Sequence, residues 1–414
     1  MGTTQIIAIV VFVVVMVAIV TEKIHRALAA VVGAMVLLIL HVVSFDAAME
    51  HVDFNTLGVL LGMMLFVAVV KLSGLFEYLA IKCARLAKGN PWLVMVLFVC
   101  LTAVLSALLD NVTTVLLIGP MTVTVCRLLD LDPLPFFLAE IMASNIGGTA
   151  TLIGDPPNIM IGSAAGLSFA IICLIVMIGL FYLLFGRKFK VDEEHKRALM
   201  ERDEREEIKN PTLLRQSVIM IILVTAGFML HGSLGVESCV VALTAAGILM
   251  LISGERIEEA LAHVEWTTLV FFAGLFIVVG ALSEVGVIGM LAQALIDVTG
   301  GSTFIAMLVL LIASAIISSF LDNIPFVATM IPILLSMEAT GMDVMPLWWA
   351  VSLGACLGGN GTLIGASANV VMSDIAKKHG TEITFMGFLK YGFPIMLVTI
   401  AVSAVYLVVR FPPM

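Results

Sequence analysis

Two Asp-Asn pairs stand in the middle of apolar runs, Asp110-Asn111 in LSALLDNVTTVLL and Asp322-Asn323 in ISSFLDNIPFVAT. Burying a carboxylate in hydrocarbon costs on the order of several kcal/mol, so each pair needs a reason to be there. One reason is chemical. A carboxylate at mid-membrane can hold a proton or a sodium ion, and Asn111, Thr113, Thr114 and Asn323 set neutral oxygens and amides beside the two acids. The other is structural, a helix N-cap whose side-chain oxygen accepts from free backbone N–H groups. Both can hold at once. The sign of a cargo stays open, since helix N-termini favour anions and C-termini favour cations.

A second constellation is SNIGGTATLIGDPPN, residues 144–158, with the related GGNGTLIGASANVV, residues 358–371. Glycines and two successive prolines cannot continue a regular helix, so each span is expected to break at mid-membrane and expose backbone groups to a ligand. The candidate binding residues are Asn145, Thr151, Gly154, Asp155, Pro156 and Asn158 in the first copy, and Asn360, Thr362, Gly365, Ser367 and Asn369 in the second. Close helix packing would account for Gly147 and Gly148 but not for Asp155-Pro156-Pro157-Asn158. Glu140, in PFFLAEIMASN, either faces a cavity as a proton relay or pairs with a basic group near the cytoplasmic end. His51 and His263 fall at loop ends, where an interfacial or structural role is expected.

The elements that must position these residues are membrane spans. Of 414 residues 61% are hydrophobic and 12% charged, with a mean hydropathy of +1.16, which no soluble domain approaches. Apolar runs long enough to cross about 30 Å of hydrocarbon fall near 4–20, 27–43, 56–72, 135–163, 171–185, 213–230, 239–252, 267–283, 349–372 and 391–409. The first of these lacks a basic leader and a small-residue cleavage site and is read as a retained span rather than a signal peptide. The two Asp-Asn regions, 92–126 and 304–338, suit re-entrant helical hairpins, with a proline following each pair.

Counting both as hairpins puts Lys23, Arg26, Lys71, Lys82, Arg85, Lys88, Arg127, the 186–211 linker, Arg215, Arg256, Lys377, Lys378 and Lys390 on one side of the membrane, and leaves Arg410 on the other. By the positive-inside rule that side is the cytoplasm. The termini then lie outside, with the first hairpin opening from the cytoplasm and the second from the exterior.

The halves repeat. From EHVDFNTLGVLLG to DNVTTVLLIGP the first half aligns without a gap, at an offset of 212, with AHVEWTTLVFFAG to DNIPFVATMIP. At an offset of 211, Gly147, Thr151, Leu152, Ile153, Gly154 and Asn158 face Gly358, Thr362, Leu363, Ile364, Gly365 and Asn369. The expected fold is an all-α polytopic membrane protein of two inverted-topology repeats, residues 1–185 and 213–414, each with five crossings, one hairpin and a helix broken at mid-membrane. An odd number of crossings turns the second copy upside down, as alternating access requires. Residues 186–212 form a charged linker, read as a solvated helical segment. One mismatch stands out: nine residues separate Phe385 from Ile395, whereas Ala170 alone separates Phe169 from Ile171.

The chain carries no GxxxxGK[ST], HExxH or GxSxG pattern, so enzymatic function is not expected. Its six cysteines are scattered without a CxxC pair, which gives neither a disulfide framework nor a zinc site. No cofactor is expected beyond a bound Na+ or H+, with sodium at Asp110/Asn111 and Asp322/Asn323. Nucleic-acid binding is not expected. Inverted repeats with two hairpins favour a carrier over a channel.

LLDNVTTVLLIGP and NIGGTATLIGDPPNIMI, with their second copies, resemble the ion transporter superfamily, specifically the citrate-transporter-like domain of its arsenical pump and P-protein permease branch, over essentially the whole chain. That resemblance implies a scaffold domain and a mobile transport domain holding both hairpins and both broken helices, often in a homodimer with elevator-type motion. In the dicarboxylate/sodium symporters the hairpin tips look like Ser-Asn-Thr; here the matching residues are Asp110-Asn111-Val112 and Asp322-Asn323-Ile324. Two aspartates would repel a dianion unless protonated or cation-bound. The expected function is a secondary transporter of an inorganic ion or small anion, arsenite-like species included, coupled to H+ or Na+. A dedicated Na+/H+ antiporter is the alternative. A prokaryotic plasma membrane is the expected location.

Overall fold

The computed structural model describes residues 2–21, 24–109, 111–151, 154, 158, 167–186, 189, 191–201, 203–254, 257–321 and 323–413, and these are helical with no strand among them. The first half supplies α1 (Thr3–Thr21), α2 (Arg26–Ile39), α3 (Phe45–Glu50), α4 (Phe54–Leu72), α5 (Leu75–Leu86), α6 (Pro91–Leu108), α7 (Asn111–Leu128), α8 (Leu134–Gly148) and α9 (Leu167–Phe185). After α10 (Glu193–Glu201) the second half follows with α11 (Pro211–Leu234), α12 (Ser238–Ser253), α13 (Ile257–Leu261), α14 (Trp266–Glu284), α15 (Val287–Val298), α16 (Thr303–Phe320), α17 (Asn323–Ala339), α18 (Met345–Gly358), α19 (Ser367–Lys378) and α20 (Phe385–Arg410), in the order of the first half but with α19 in addition among the described residues.

Seven of these helices, α4, α6, α7, α11, α14, α16 and α20, are long and apolar enough to cross a membrane, and shorter apolar helices accompany them. Large apolar side chains such as Leu183, Met229 and Leu251 point outward, at 80%, 82% and 84% exposure, which hydrocarbon tolerates and water does not. Helix starts follow local chemistry. Asn90 and Asn210 each accept from the backbone N–H three residues on and are followed by Pro91 and Pro211, whose missing N–H falls where no partner exists. The mismatch noted between Phe169 and Phe385 is taken up in helix, since α20 runs 26 residues against 19 in α9.

Packing divides the helices into two groups. In the scaffold, α2 packs on α14 and α12 on α4, α1 packs on α2 and α14, and α11 on α12 and α4. Each half thus lends a helix to the other, the reciprocal exchange a two-fold relation between the halves generates. Gly62 and Gly274 make these crossings close: a Cβ on Gly62 would lie 2.7 Å from the Ala242 carbonyl carbon, and one on Gly274 2.8 Å from that of Ala30. The second group, the core, packs α6 on α8, α16 on α18, α7 and α17 on these pairs, α19 on α7 and α8, and α9 on α20.

Two short amphipathic helices, α5 and α15, connect the groups. Each follows a left-handed glycine, Gly74 at φ +80 and Gly286 at φ +77, that ends the preceding scaffold helix. α5 packs on α7, and α15 packs on α17. The linker braces α5: backbone N–H groups of Lys209 and Asn210 donate to the Ser73 carbonyl at 3.1 and 3.4 Å, Lys209 Nζ pairs with Glu77 at 2.9 Å, Arg85 pairs with Glu204, and Leu199 is fully buried. The linker is therefore docked rather than wholly solvated along its length.

Candidate functional site

The core is held by backbone and side-chain hydrogen bonds that recur in both halves. Ser106 Oγ donates to the Ser144 carbonyl at 2.7 Å, and its counterpart Ser318 donates to Ala355 at 2.8 Å. Thr151 and Thr362 donate to the carbonyls of Ala107 and Ser319 near the two hairpin tips. Asn158 Nδ2 donates to the carbonyls of Gly148 at 2.7 Å and Thr151 at 3.3 Å; Asn369 Nδ2 donates to Gly359 at 2.7 Å and Thr362 at 3.0 Å. A helix that stops inside a membrane strands carbonyls, and these two amides satisfy them. Gly154 and Gly365 are buried where a Cβ would press on the carbonyl oxygens of Ser106 at 2.6 Å and Gly359 at 2.9 Å.

Asn145, in α8, ties the halves together. Its Nδ2 donates to Asn360 Oδ1 at 2.8 Å and Asn369 Oδ1 at 3.1 Å, while its Oδ1 accepts from Asn111 Nδ2 at 3.3 Å. All four side chains are buried. The repeat breaks at this point, because Cys356 occupies the position equivalent to Asn145 and its Sγ lies 3.7 Å from Asn158 Oδ1, which also accepts from Ser352 Oγ at 2.5 Å. Two buried donors in the same region, Asn360 Nδ2 and Thr114 Oγ1, have no hydrogen-bond partner among the described residues. Unused buried donors are costly and suit a ligand.

The N-termini of α7 and α17 meet the scaffold at a small cavity of about 20 Å³. Its wall includes Asn111 and Asn323, the first residues of α7 and α17; Ser367, the first of α19; Arg26, the first of α2; and Thr268 in the first turn of α14. Five helix N-termini thus converge, and their N–H groups carry partial positive charge. Arg26 donates to Ser367 Oγ and lies over the Phe271 ring at 5.5 Å. Arg26 and Ser367 also line an adjoining crevice of about 400 Å³, and Glu265 and Met64 continue the cavity into another of about 100 Å³ that Thr113 lines.

Residues 16–354 match the model of a family described as citrate transporter. The chain belongs to the citrate transporter family. This citrate transporter family member is 42% identical to a 46 kDa membrane protein of Mycobacterium leprae (strain TN), over 98% of its own length and 99% of the relative's. It is 42% identical to an uncharacterized transporter of Mycobacterium tuberculosis (strain ATCC 25618 / H37Rv), again over 98% and 99%. The P protein of Homo sapiens is 35% identical over 94% of this chain and 58% of its own length. The crystal structure of the Alcanivorax borkumensis YdaH transporter, described as having an unusual topology, superposes with a TM-score of 0.57 over 99% of this chain and 98% of that one, at 15% identity, and so shares the fold. The family is one of transporters, not enzymes, and the protein is integral to the membrane.

Within this citrate transporter family member, Asp110, Asp322, Asp155 and Pro156 lie outside the described residues. Asn111, Asn145, Asn360 and Asn369 come together in one network; Thr151, Asn158 and Thr362 close the broken helices; Ser367 and Asn323 reach the cavity. Glu140 is 1% exposed and its Oε1 accepts from Thr122 Oγ1 at 2.5 Å, while Oε2 has no partner among the described residues. Its described partner is a hydroxyl on α7 rather than a basic group at the cytoplasmic end. Sequence reasoning missed Arg26 and Glu265 as wall residues. For Arg26 a signal was available, since it sits at a span end where the repeat changes chemistry, to Ser238; Glu265 faces another carboxylate, Asp53, and gave none.

Proposed function

We propose that the protein is a secondary active carrier of a small anion, coupled to H+ or Na+ and working by elevator-type alternating access between inverted repeats. The observation that carries this reading is the convergence of five helix N-termini and the Arg26 guanidinium on one cavity at the hairpin tips. Such a wall favours negative charge. Asp110 and Asp322 directly precede α7 and α17 and would take the coupling proton or sodium, which offsets their repulsion of an anion. Glu140, a buried carboxyl on the moving core, is a further proton carrier in this scheme. Division into scaffold and core joined by α5 and α15 supports a core that slides as a unit. A homodimer, a prokaryotic plasma membrane and a cytoplasmic linker complete the proposal, the last from the distribution of Lys and Arg.

Flux into proteoliposomes tests it. Citrate, phosphate, arsenite, Na+ and Li+ would each be offered under an imposed H+ or Na+ gradient, with concentrative uptake of an anion as the expected result. Na+/H+ exchange without anion flux would establish the antiporter instead. Asp110→Asn and Asp322→Asn should each lower coupled flux by about tenfold or more, the scale of losing one charge-assisted contact. Wild-type rates in both variants would remove the aspartates from coupling.

A further inference from the structure

We infer that the scaffold presents chemically unequal rims to the cargo, and that Arg26 is the specificity-determining residue that makes an anion bind more tightly from its own face of the membrane than from the other. This rests on the carrier reading above and adds a direction to it.

The scaffold is built by exchange, so each rim position on one face has a repeat counterpart on the other. On the face where the crevices open, the rim carries His25 and Arg26 at the start of α2, Lys71 near the end of α4, and Glu265 ahead of α14. Their counterparts, at an offset of 212, are Glu237, Ser238, Ser283 and Asp53. The local geometry repeats while the charge does not. Asp53 Oδ1 accepts from the Thr56 N–H at 3.0 Å at the start of α4, and Glu265 Oε2 accepts from Thr268 Oγ1 at 3.1 Å at the start of α14. Where Arg26 reaches across to Ser367 on the core, Ser238 turns back to Asn55 of the scaffold, accepting from its Nδ2 at 3.0 Å.

With histidine neutral, Arg26 and Lys71 against Glu265 give the first rim a formal charge of +1, and Glu237 and Asp53 give the second −2. Asp374 also lines the larger crevice, but it belongs to α19 and travels with the core, so it does not distinguish the faces. A narrow, low-dielectric cleft focuses such a difference onto whatever occupies it. An anion at the hairpin tips therefore meets a guanidinium in the state seen here and two carboxylates after the core has moved. In the positive-inside orientation the Arg26 face is cytoplasmic, so the rims favour loading from inside and release outside.

The test compares the KM for citrate and for phosphate in right-side-out and inside-out membrane vesicles, corrected for vesicles lacking the protein. Wild type should show a KM lower on the Arg26 face by about tenfold or more, the effect of one charge-assisted contact. Arg26→Gln should raise the KM on that face by about as much and leave the opposite KM within about twofold; Arg26→Lys should recover part of the loss. Ser238→Arg should lower the KM on the opposite face, and it serves as the independent variant if Arg26→Gln folds poorly. Equal shifts on both faces in Arg26→Gln, or an unaltered opposite KM in Ser238→Arg, would overturn the inference while leaving the carrier standing. Absence of flux of either anion in wild type would count against the carrier reading itself, and this one with it.

Discussion

Replacing Asn145 by alanine should reduce transport by about a hundredfold or more, with the protein still inserting but melting at lower temperature. The truncation leaves Asn360 Oδ1, Asn369 Oδ1 and Asn111 Nδ2 without the amide that joins them. Each stranded buried polar group costs about 1–3 kcal/mol, and about 3 kcal/mol already corresponds to two powers of ten in an equilibrium. Asn145→Asp should fare little better, because it keeps the acceptor for Asn111 but turns a donor shared by two carbonyl oxygens into a charge that repels them. Cys356, its counterpart in the repeat, offers the contrast. It makes a long contact of 3.7 Å to an oxygen that Ser352 already serves, so Cys356→Ala should retain flux within a few-fold of wild type. Equal loss at both positions would show that the broken symmetry has no functional weight.

The second large effect concerns glycines. A Cβ on Gly147 would stand 2.3 Å from the carbonyl oxygen of Ala103, and one on Gly358 2.7 Å from that of Ala315. Backbone cannot yield as a side-chain end can, so alanine at either position must push α8 from α6 or α18 from α16. Overpacking of this kind costs about 1–3 kcal/mol, and we expect a lowered unfolding midpoint and reduced yield of folded protein in detergent for both. Gly247, inside α12, meets nothing within 4 Å. Gly247→Ala should leave the midpoint unchanged or raise it, since alanine favours helix over glycine by about 0.5–1 kcal/mol. Indistinguishable melting of the three variants would refute the close-approach account.

Reading the chain alone went far where the signal was local or periodic. The all-helical fold follows from apolar runs, and the equivalence of Thr151 with Thr362, or Asn158 with Asn369, was visible from spacing before any hydrogen bond was known. Three features were not legible. α5 and α15, at 12 residues each, are too short and too amphipathic to register as spans. Glu140 meets Thr122 across a turn and two helices, a contact that no spacing along one helix encodes. Arg26 was counted with the basic residues that set orientation, as its place at the end of a span warrants; only the packing of α2 against α14 brings it to the hairpin tips.

The reciprocal scaffold has a consequence for how the molecule is made. When the ribosome has delivered residues up to Asn210, the linker can close over α5, and α6, α7 and α8 already have one another. The seats on α2 and α4 are different, since the helices that fill them, α14 and α12, have yet to be synthesised. A half-finished chain therefore waits in the bilayer without the cross-half partners of α2 and α4, its small-residue faces at Ala30 and Gly62 turned to lipid. The scaffold seats are filled once α14 ends at Glu284, whereas α7, α8 and α9 wait longer, for α19 and α20, so helices inserted early keep places open for helices of the second half.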